Sequence, residues 1–329
     1  MTLSNPAALL LCVTGMTIVG SSVSISQLIL DYPHLTGQAI RYALAAAVLF
    51  ALARRFPTLL TGGGPPPGRP TRRELVLLTA LAATGMAGFN ACILLALPHA
   101  DPAVVGTVIG AAPLGLALLG PLSRRQRPAA RLVAAAALVV AGTALVQGSG
   151  RTDTIGVLAS LGAFGGEIAF TLLAAVVLPR LGPVLVSAYG CALSVPLLLL
   201  AALPAGEYHR LRLPTATEAA TLGYLAAFMT VVAFLAWFTG LRQIGVERAA
   251  PLVGLMPIAT LLTAAIQDGR PPQLGAGVGV LVVALGIAAG LSARKGPLLS
   301  DSVAKGPLPH PDRAAGPSRN EPVRVRPTP

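Results

Sequence analysis

ALPHADPAVVGTVIGAAP at residues 96–113 and GLRQIGVERAAPLVGLMP at residues 240–257 read as two copies of one piece of chain. Each copy runs from the end of one apolar segment, through a short polar connection, to a proline near the middle of the next. Pro113 and Pro257 stand 144 residues apart. Proline has no N–H and its ring crowds the carbonyl four residues back, so each is expected to bend its helix at membrane depth. Working outward, the flanking apolar segments superimpose in order at shifts of 143–148 residues: 74–96 falls on 217–240, 101–122 on 246–266, and 129–147 on 275–293.

The same reading extends over most of the chain. Ten apolar stretches of roughly 19–24 residues are present: 7–29, 35–53, 74–96, 101–122, 129–147, 154–177, 183–203, 217–240, 246–266 and 275–293. About 20 apolar residues cross a hydrocarbon core as a helix, and these runs are too long and continuous for barrel strands. The expected fold is an all-α membrane protein of ten transmembrane helices. Five helices per copy is an odd number, so the second copy enters the membrane from the opposite side and the two form inverted five-helix repeats. The expected organisation is a first repeat over 1–150 with a Gly/Pro-rich cytoplasmic linker at 54–73, a second over 151–293, and a disordered cytoplasmic tail over 294–329.

Composition bounds the function. The chain is 54% hydrophobic and 11% charged, with a mean hydropathy of +0.74. A water-soluble surface needs about a quarter of residues charged, so lipid surrounds this chain. The net charge is +12. That excess is explained by the rule that cytoplasmic loops carry the basic residues, and nucleic acid is not an expected partner. With the N-terminus inside, the inward connections hold twelve arginines before the tail, including Arg54, Arg55, Arg72, Arg73, Arg124 and Arg125. The outward connections hold four: Arg151, Arg210, Arg212 and Arg270. Both termini are therefore expected in the cytoplasm, and the protein in the cell's inner (plasma) membrane. The N-terminus has no basic region preceding its apolar run, so the first segment is expected to be retained as a helix. Cys12, Cys92 and Cys191 sit inside apolar segments without metal-ligand spacing and read as small buried hydrophobes.

With these residues on the page, the chain resembles the drug/metabolite transporter superfamily, specifically the EamA-like permeases. The resemblance covers about residues 7–293. It rests on the five-plus-five layout, on RYALAAAVLFALARR (41–55) as the second helix, and on the paired loop-to-proline segments. It departs from the family where GSSVSISQ (20–27) replaces a usual Trp-Gly start. It departs again where LSRRQRP (122–128) and IQDGRPP (266–272) lack a following acid other than Asp268. The resemblance implies carriage of small metabolites or toxic compounds, often outward, by alternating access. The alternative is a non-catalytic membrane subunit or receptor acting with a partner protein. No phosphate-binding loop, zinc motif or nucleophile elbow is present, so neither enzyme chemistry nor a cofactor is expected.

The candidate site residues are few. Glu167 in LGAFGGEIAFTLL lies about 13 residues, or roughly 20 Å, from the outer end of its helix. A carboxylate at that depth is costly and tends to face a cavity or partner, so it is a candidate for coupled protons or for a cationic cargo. Its structural reading is a hydrogen-bonded glutamate. Arg41 lies about 9 Å below the outer surface and would attract an anionic group, pair with an acid, or snorkel to water. Asn90, at a similar depth, offers an amide to cargo or to a neighbouring helix. Thr14, Thr17, Ser21 and Ser24 share one face of the first helix. That face either lines a path or packs. Trp237 either stacks on cargo or joins an interfacial belt. The GxxxG pairs Gly106/Gly110, Gly162/Gly166 and Gly286/Gly290 read as packing, with a homodimer face as the alternative. Gly20 and Gly165–Gly166 occupy matching positions in the two copies. Asp31, His34, His99 and Asp101 read as solvated loop residues.

Overall fold

The computed structural model describes residues 5–56, 69–123, 125–148, 150–269 and 274–291. Most of the linker (57–68) and the whole tail (294–329) lie outside the described residues. The described residues up to Leu291 pack as one unit. They form helices α1 (Asn5–Ile25), α2 (His34–Arg55), α3 (Arg72–Leu81), α4 (Phe89–Ala96), α5 (Pro102–Ile109), α6 (Ala112–Ser123) and α7 (Ala130–Gln147). The series continues with α8 (Thr154–Ala202), α9 (Ala216–Tyr224), α10 (Ala233–Ile244), α11 (Val246–Ala249), α12 (Leu255–Asp268) and α13 (Leu274–Leu291).

Among the described residues, eight helices are long and apolar enough to cross a membrane, against ten expected. The difference has two sources. The sixth and seventh expected segments are joined in α8, 49 residues long, which is kinked at Gly182 (φ 74°), where the backbone leaves the helical range. A backbone at that φ suits glycine alone, and Pro183 follows it. The fifth expected segment, α7, has an apolar run of 17 residues (Ala130–Val146), slightly short of a full crossing.

Irregular backbone lies shortly before each of the two prolines, Pro113 and Pro257. Between α5 and α6 the helix tightens at Gly110–Ala111, where Ala111 N donates to Val108 O at 3.1 Å. Between α11 and α12 lies a 3₁₀ segment, Ala250–Gly254. Each break sits just before its proline and contains or abuts the carbonyl that the proline cannot satisfy, Ile109 for Pro113 and Val253 for Pro257.

A second matched pair was not expected. A π-helical segment, Ala82–Gly88, joins α3 to α4, and another, Leu225–Val232, joins α9 to α10. Both helices also begin with the same capping box: Thr71 with Glu74, and Thr215 with Glu218. Such a box satisfies donors at a helix start and stabilises it by about 1 kcal/mol.

Packing interlocks the earlier and later parts of the chain: α1 lies on α10 and α12, and α8 lies on α2, α3 and α4. α7 and α13 pair antiparallel through glycines. A Cβ on Gly279 would lie 2.6 Å from Val146 N and one on Gly142 2.6 Å from Val283 N, so the two backbones touch. The GxxxG glycines are used inside the chain. Gly162 and Gly166 face Cys92 and Thr84, Gly286 and Gly290 face Val139 and Pro251, and Gly110 faces Thr143.

Candidate functional site

Glu167 lies 13 residues from the start of α8 and 14 from Leu181, the last residue before the turn at Gly182. At 1.5 Å per residue this is about 20 Å from either end. Its helix crosses α3–α4 antiparallel at close range. A Cβ on Gly85 would lie 2.6 Å from Phe170 Cβ, and one on Gly166 would lie 2.7 Å from Thr84 O. Thus the π segment 82–88 and the Glu167 turn of α8 are in contact. Glu167 is half-buried and makes no hydrogen bond or ion pair among the described residues. One turn further, Phe170 packs with Phe234 and Phe238 of α10 at ring-centroid distances of 5.3 Å each. This aromatic cluster joins α8 to α10, both in the later half of the chain, one turn from the carboxylate.

The packing of α8 on α3–α4 is fastened at both ends. At one end Arg180 pairs with Glu74 of α3, while Arg242 of α10 donates to Pro179 O at 3.1 Å. At the other, His99 Nδ1 meets Asp153 Oδ2 at 2.8 Å, Asp153 N donates to His99 O at 3.1 Å, and Asp101 accepts from Arg151 N at 2.8 Å. The bond from Gly156 N, then the His99 ring, holds the Asp153 carboxyl below its usual range. His99 and Asp101 are therefore paired with the neighbouring turn, not simply solvated.

Arg41 is 7% exposed. Its Nη1 donates to Met229 Sδ at 3.2 Å, on the π segment 225–232, and its guanidinium stands 4.4 Å from the Tyr42 ring centroid. It forms no ion pair among the described residues, and its Nε has no partner. Snorkelling to water, one of its expected fates, does not occur here. Asn90 is buried and donates to Met86 O at 2.7 Å, within its own helix. His34, expected in a solvated loop, instead opens α2, is half-buried, and lies beside Asn90.

The hydroxyl face of α1 divides. Thr14 and Thr17 are exposed, and Ser21 bonds back to Thr17 O at 2.9 Å. Ser24 donates to Thr260 O at 3.2 Å, and Thr260 donates to Gly20 O at 2.8 Å, stitching α1 to α12. Gly20 approaches the backbone of α12 at Met256 and Gly166 that of the π segment at Thr84, while Gly165 faces open space. Trp237 is 3% exposed and packs against Gly15 of α1, so it is a core residue and not part of an interfacial belt.

One residue of consequence had no sequence signal. Glu207, 1% exposed, accepts from Leu35 N, Thr36 N and Thr36 Oγ1, each at 2.8 Å. The residue before α2 is Pro33, which supplies no side-chain cap, and Glu207 takes that role from 172 positions away. Nearby, Tyr32 Oη donates to Arg212 O at 3.2 Å, and Arg212 pairs with Glu218 at 2.6 Å. Two recesses occur at this end, one of about 530 Å³ beside Ile25 and Tyr224 and one of about 240 Å³ beside His99 and Asp153. Neither is lined by Glu167, Arg41 or Asn90.

Comparison with known proteins places this geometry. The model of the EamA-like transporter family matches two stretches, residues 6–147 and 154–290. The Bacillus subtilis (strain 168) protein named uncharacterized transporter YetK is 22% identical over 285 residues, 83% of each chain. Uncharacterized transporter YdeK of the same organism is 32% identical over 205 residues, 60% of this chain and 69% of its own. One solved crystal structure shares the fold with a TM-score of 0.70 at 19% identity, over 87% of this chain and 96% of that one.

Proposed function

The chain belongs to the EamA-like transporter family, and from that premise we propose that it is a secondary transporter exporting small metabolites or toxic compounds by alternating access. It is a multi-pass membrane protein whose cargo is a small molecule. In this reading α8 contributes two crossings and α7 one, which makes ten, arranged as two inverted repeats over 1–150 and 151–293 with both termini in the cytoplasm. The observation that carries the reading is the pairing of irregular backbone. The breaks before Pro113 and Pro257 and the π segments 82–88 and 225–232 recur at the same repeat spacing. Broken helices at corresponding places in two halves are where transporters bind cargo and where one half moves against the other.

Glu167 takes the coupling role. It lies at mid-depth, on a turn of α8 whose Gly166 and Phe170 pack against one π segment, and one turn from the aromatic cluster that reaches α10. It exchanges a proton or balances a cationic cargo. The exposed Thr17 and the neighbouring Ser21 line the path on α1.

The test is transport by the purified chain in vesicles against a metabolite and toxin panel, driven by a pH gradient. Glu167→Gln is expected to retain the fold and lose gradient-driven transport. Unchanged coupling removes Glu167 from the role, and no transport of any compound by the chain alone removes the carrier reading. Reporter fusions at each end test the topology; termini in different compartments contradict it.

A further inference from the structure

Three residues of α2, spaced four and three apart, fall on one face of the helix: His34, Gln38 and Arg41. His34 Nε2, Gln38 Oε1 and Arg41 Nε are all buried and all without a hydrogen-bond partner. Gln38 and Arg41 are each 7% exposed. Buried polar atoms are nearly always satisfied, and three orphans on successive turns of one helix ask for a ligand. Glu207 lies within electrostatic reach of His34. Its carboxylate is already committed to Leu35 N, Thr36 N and Thr36 Oγ1. The guanidinium therefore stays an uncompensated cation.

The free groups define the chemistry. Arg41 Nη1 is turned to Met229 Sδ, which leaves the Nε edge of the fork available. That edge matches the two oxygens of a carboxylate side-on. Gln38 Oε1 is a buried acceptor without a partner one turn away on the same helix face, and it asks for a donor on the ligand. Tyr42 and Met229 border the guanidinium with apolar or weakly polar surface. We propose that the His34–Gln38–Arg41 face of α2, with Asn90 beside it, is a binding site for small carboxylates that also carry a hydroxyl group.

This rests on the transporter reading, since the ligand would be the cargo and the face is closed in the present conformation. It contacts the π segment 225–232 through Met229, so the movement of that segment would open it.

The experiment uses the full chain in neutral detergent, with thermal unfolding and binding of labelled 3-hydroxybutanoate as readouts. The acid is expected to protect the wild type at millimolar concentration. Its amide is expected to need at least tenfold more, as are inorganic phosphate and phosphatidylglycerol. Butanoate, lacking the hydroxyl, is expected to bind several-fold more weakly than 3-hydroxybutanoate. Arg41→Lys keeps the charge but not the fork and is expected to lose at least tenfold. Gln38→Leu is expected to reduce 3-hydroxybutanoate to the level of butanoate. Equal protection by acid and amide, equal protection by phosphate or lipid, or unchanged binding in Arg41→Lys overturns the site. If both variants fail to fold, the wild-type comparison of acid and amide decides alone. Transport of other panel compounds without acid binding sinks this site and leaves the carrier reading intact. Acid binding without any transport does the reverse.

Discussion

Replacing Glu207 by alanine strands two backbone N–H groups, Leu35 and Thr36, at a helix start that Pro33 cannot cap. It also removes the acceptor for Thr36 Oγ1. A buried donor without a partner costs about 1–3 kcal/mol, so two cost roughly 3–5 kcal/mol once partial relaxation is allowed. The lost attraction between a carboxylate and the positive end of α2 is within that sum, at about 1 kcal/mol. At about 2 °C per kcal/mol for a chain of this size, the melting temperature should fall by roughly 6–10 °C. Glu207→Gln retains one acceptor oxygen and loses the charge, so its loss should be about 1–2 kcal/mol. The assay is thermal unfolding of both variants in one detergent, followed by tryptophan emission from the buried Trp237. An alanine variant within about 2 °C of wild type, or a glutamine variant worse than alanine, refutes the capping argument.

Three other outcomes are expected. Gly279→Val places side-chain atoms against Val146 N and Gly142 O, which cannot swing aside, so α13 should separate from α7 at a cost of about 3 kcal/mol or more, seen as a lower melting temperature or aggregation on size exclusion. Pro257→Ala gives the Val253 carbonyl a partner again; stability should rise by up to about 1 kcal/mol while transport slows, and an unchanged transport rate means the break is not a hinge. The third concerns pH. The Asp153 carboxyl is held below its ordinary value of 3.8, so its contribution is complete above that value and vanishes as pH falls through the lowered one. The melting-temperature gap between wild type and Asp153→Asn should hold steady from pH 7 to 5 and close below about pH 4; a gap that persists into stronger acid rules the ionised pairing out.

What the sequence makes legible is whatever depends on local composition or on repetition. Apolar length gives the spans, and the recurrence of Pro113 as Pro257 gives the bends, because proline acts on the carbonyl four residues back wherever it stands. The π segments have no such marker. AATGMAG and LAAFMTVV are ordinary helical compositions, and the extra residue per turn is stabilised by contacts with α8 and α2 that only folding brings together. Glu207 is invisible for the same reason, since its partners are 172 positions away. His34 follows a proline in a polar stretch and resembles a loop residue, yet the cap supplied by Glu207 draws it into the first turn of α2. Trp237 sits near the end of an apolar run, where a belt position is the natural reading, but the glycine opposite it on α1 makes room for a core residue. At the candidate site, Glu167 was visible as a charge in an apolar run. The orphaned face of Gln38 and His34 beside Arg41 was not, because an unsatisfied atom is a property of neighbours.

The interlocked packing of α1 and α8 bears on how the protein is made. When α1 leaves the ribosome, the surfaces it fits, on α10 and α12, do not yet exist. It must wait in the bilayer, held by lipid or by the insertion machinery, until nearly the whole polypeptide has been synthesised. Assembly is thus a late closing event, and a chain split between α7 and α8 should regain its structure only when both fragments are produced in the same cell.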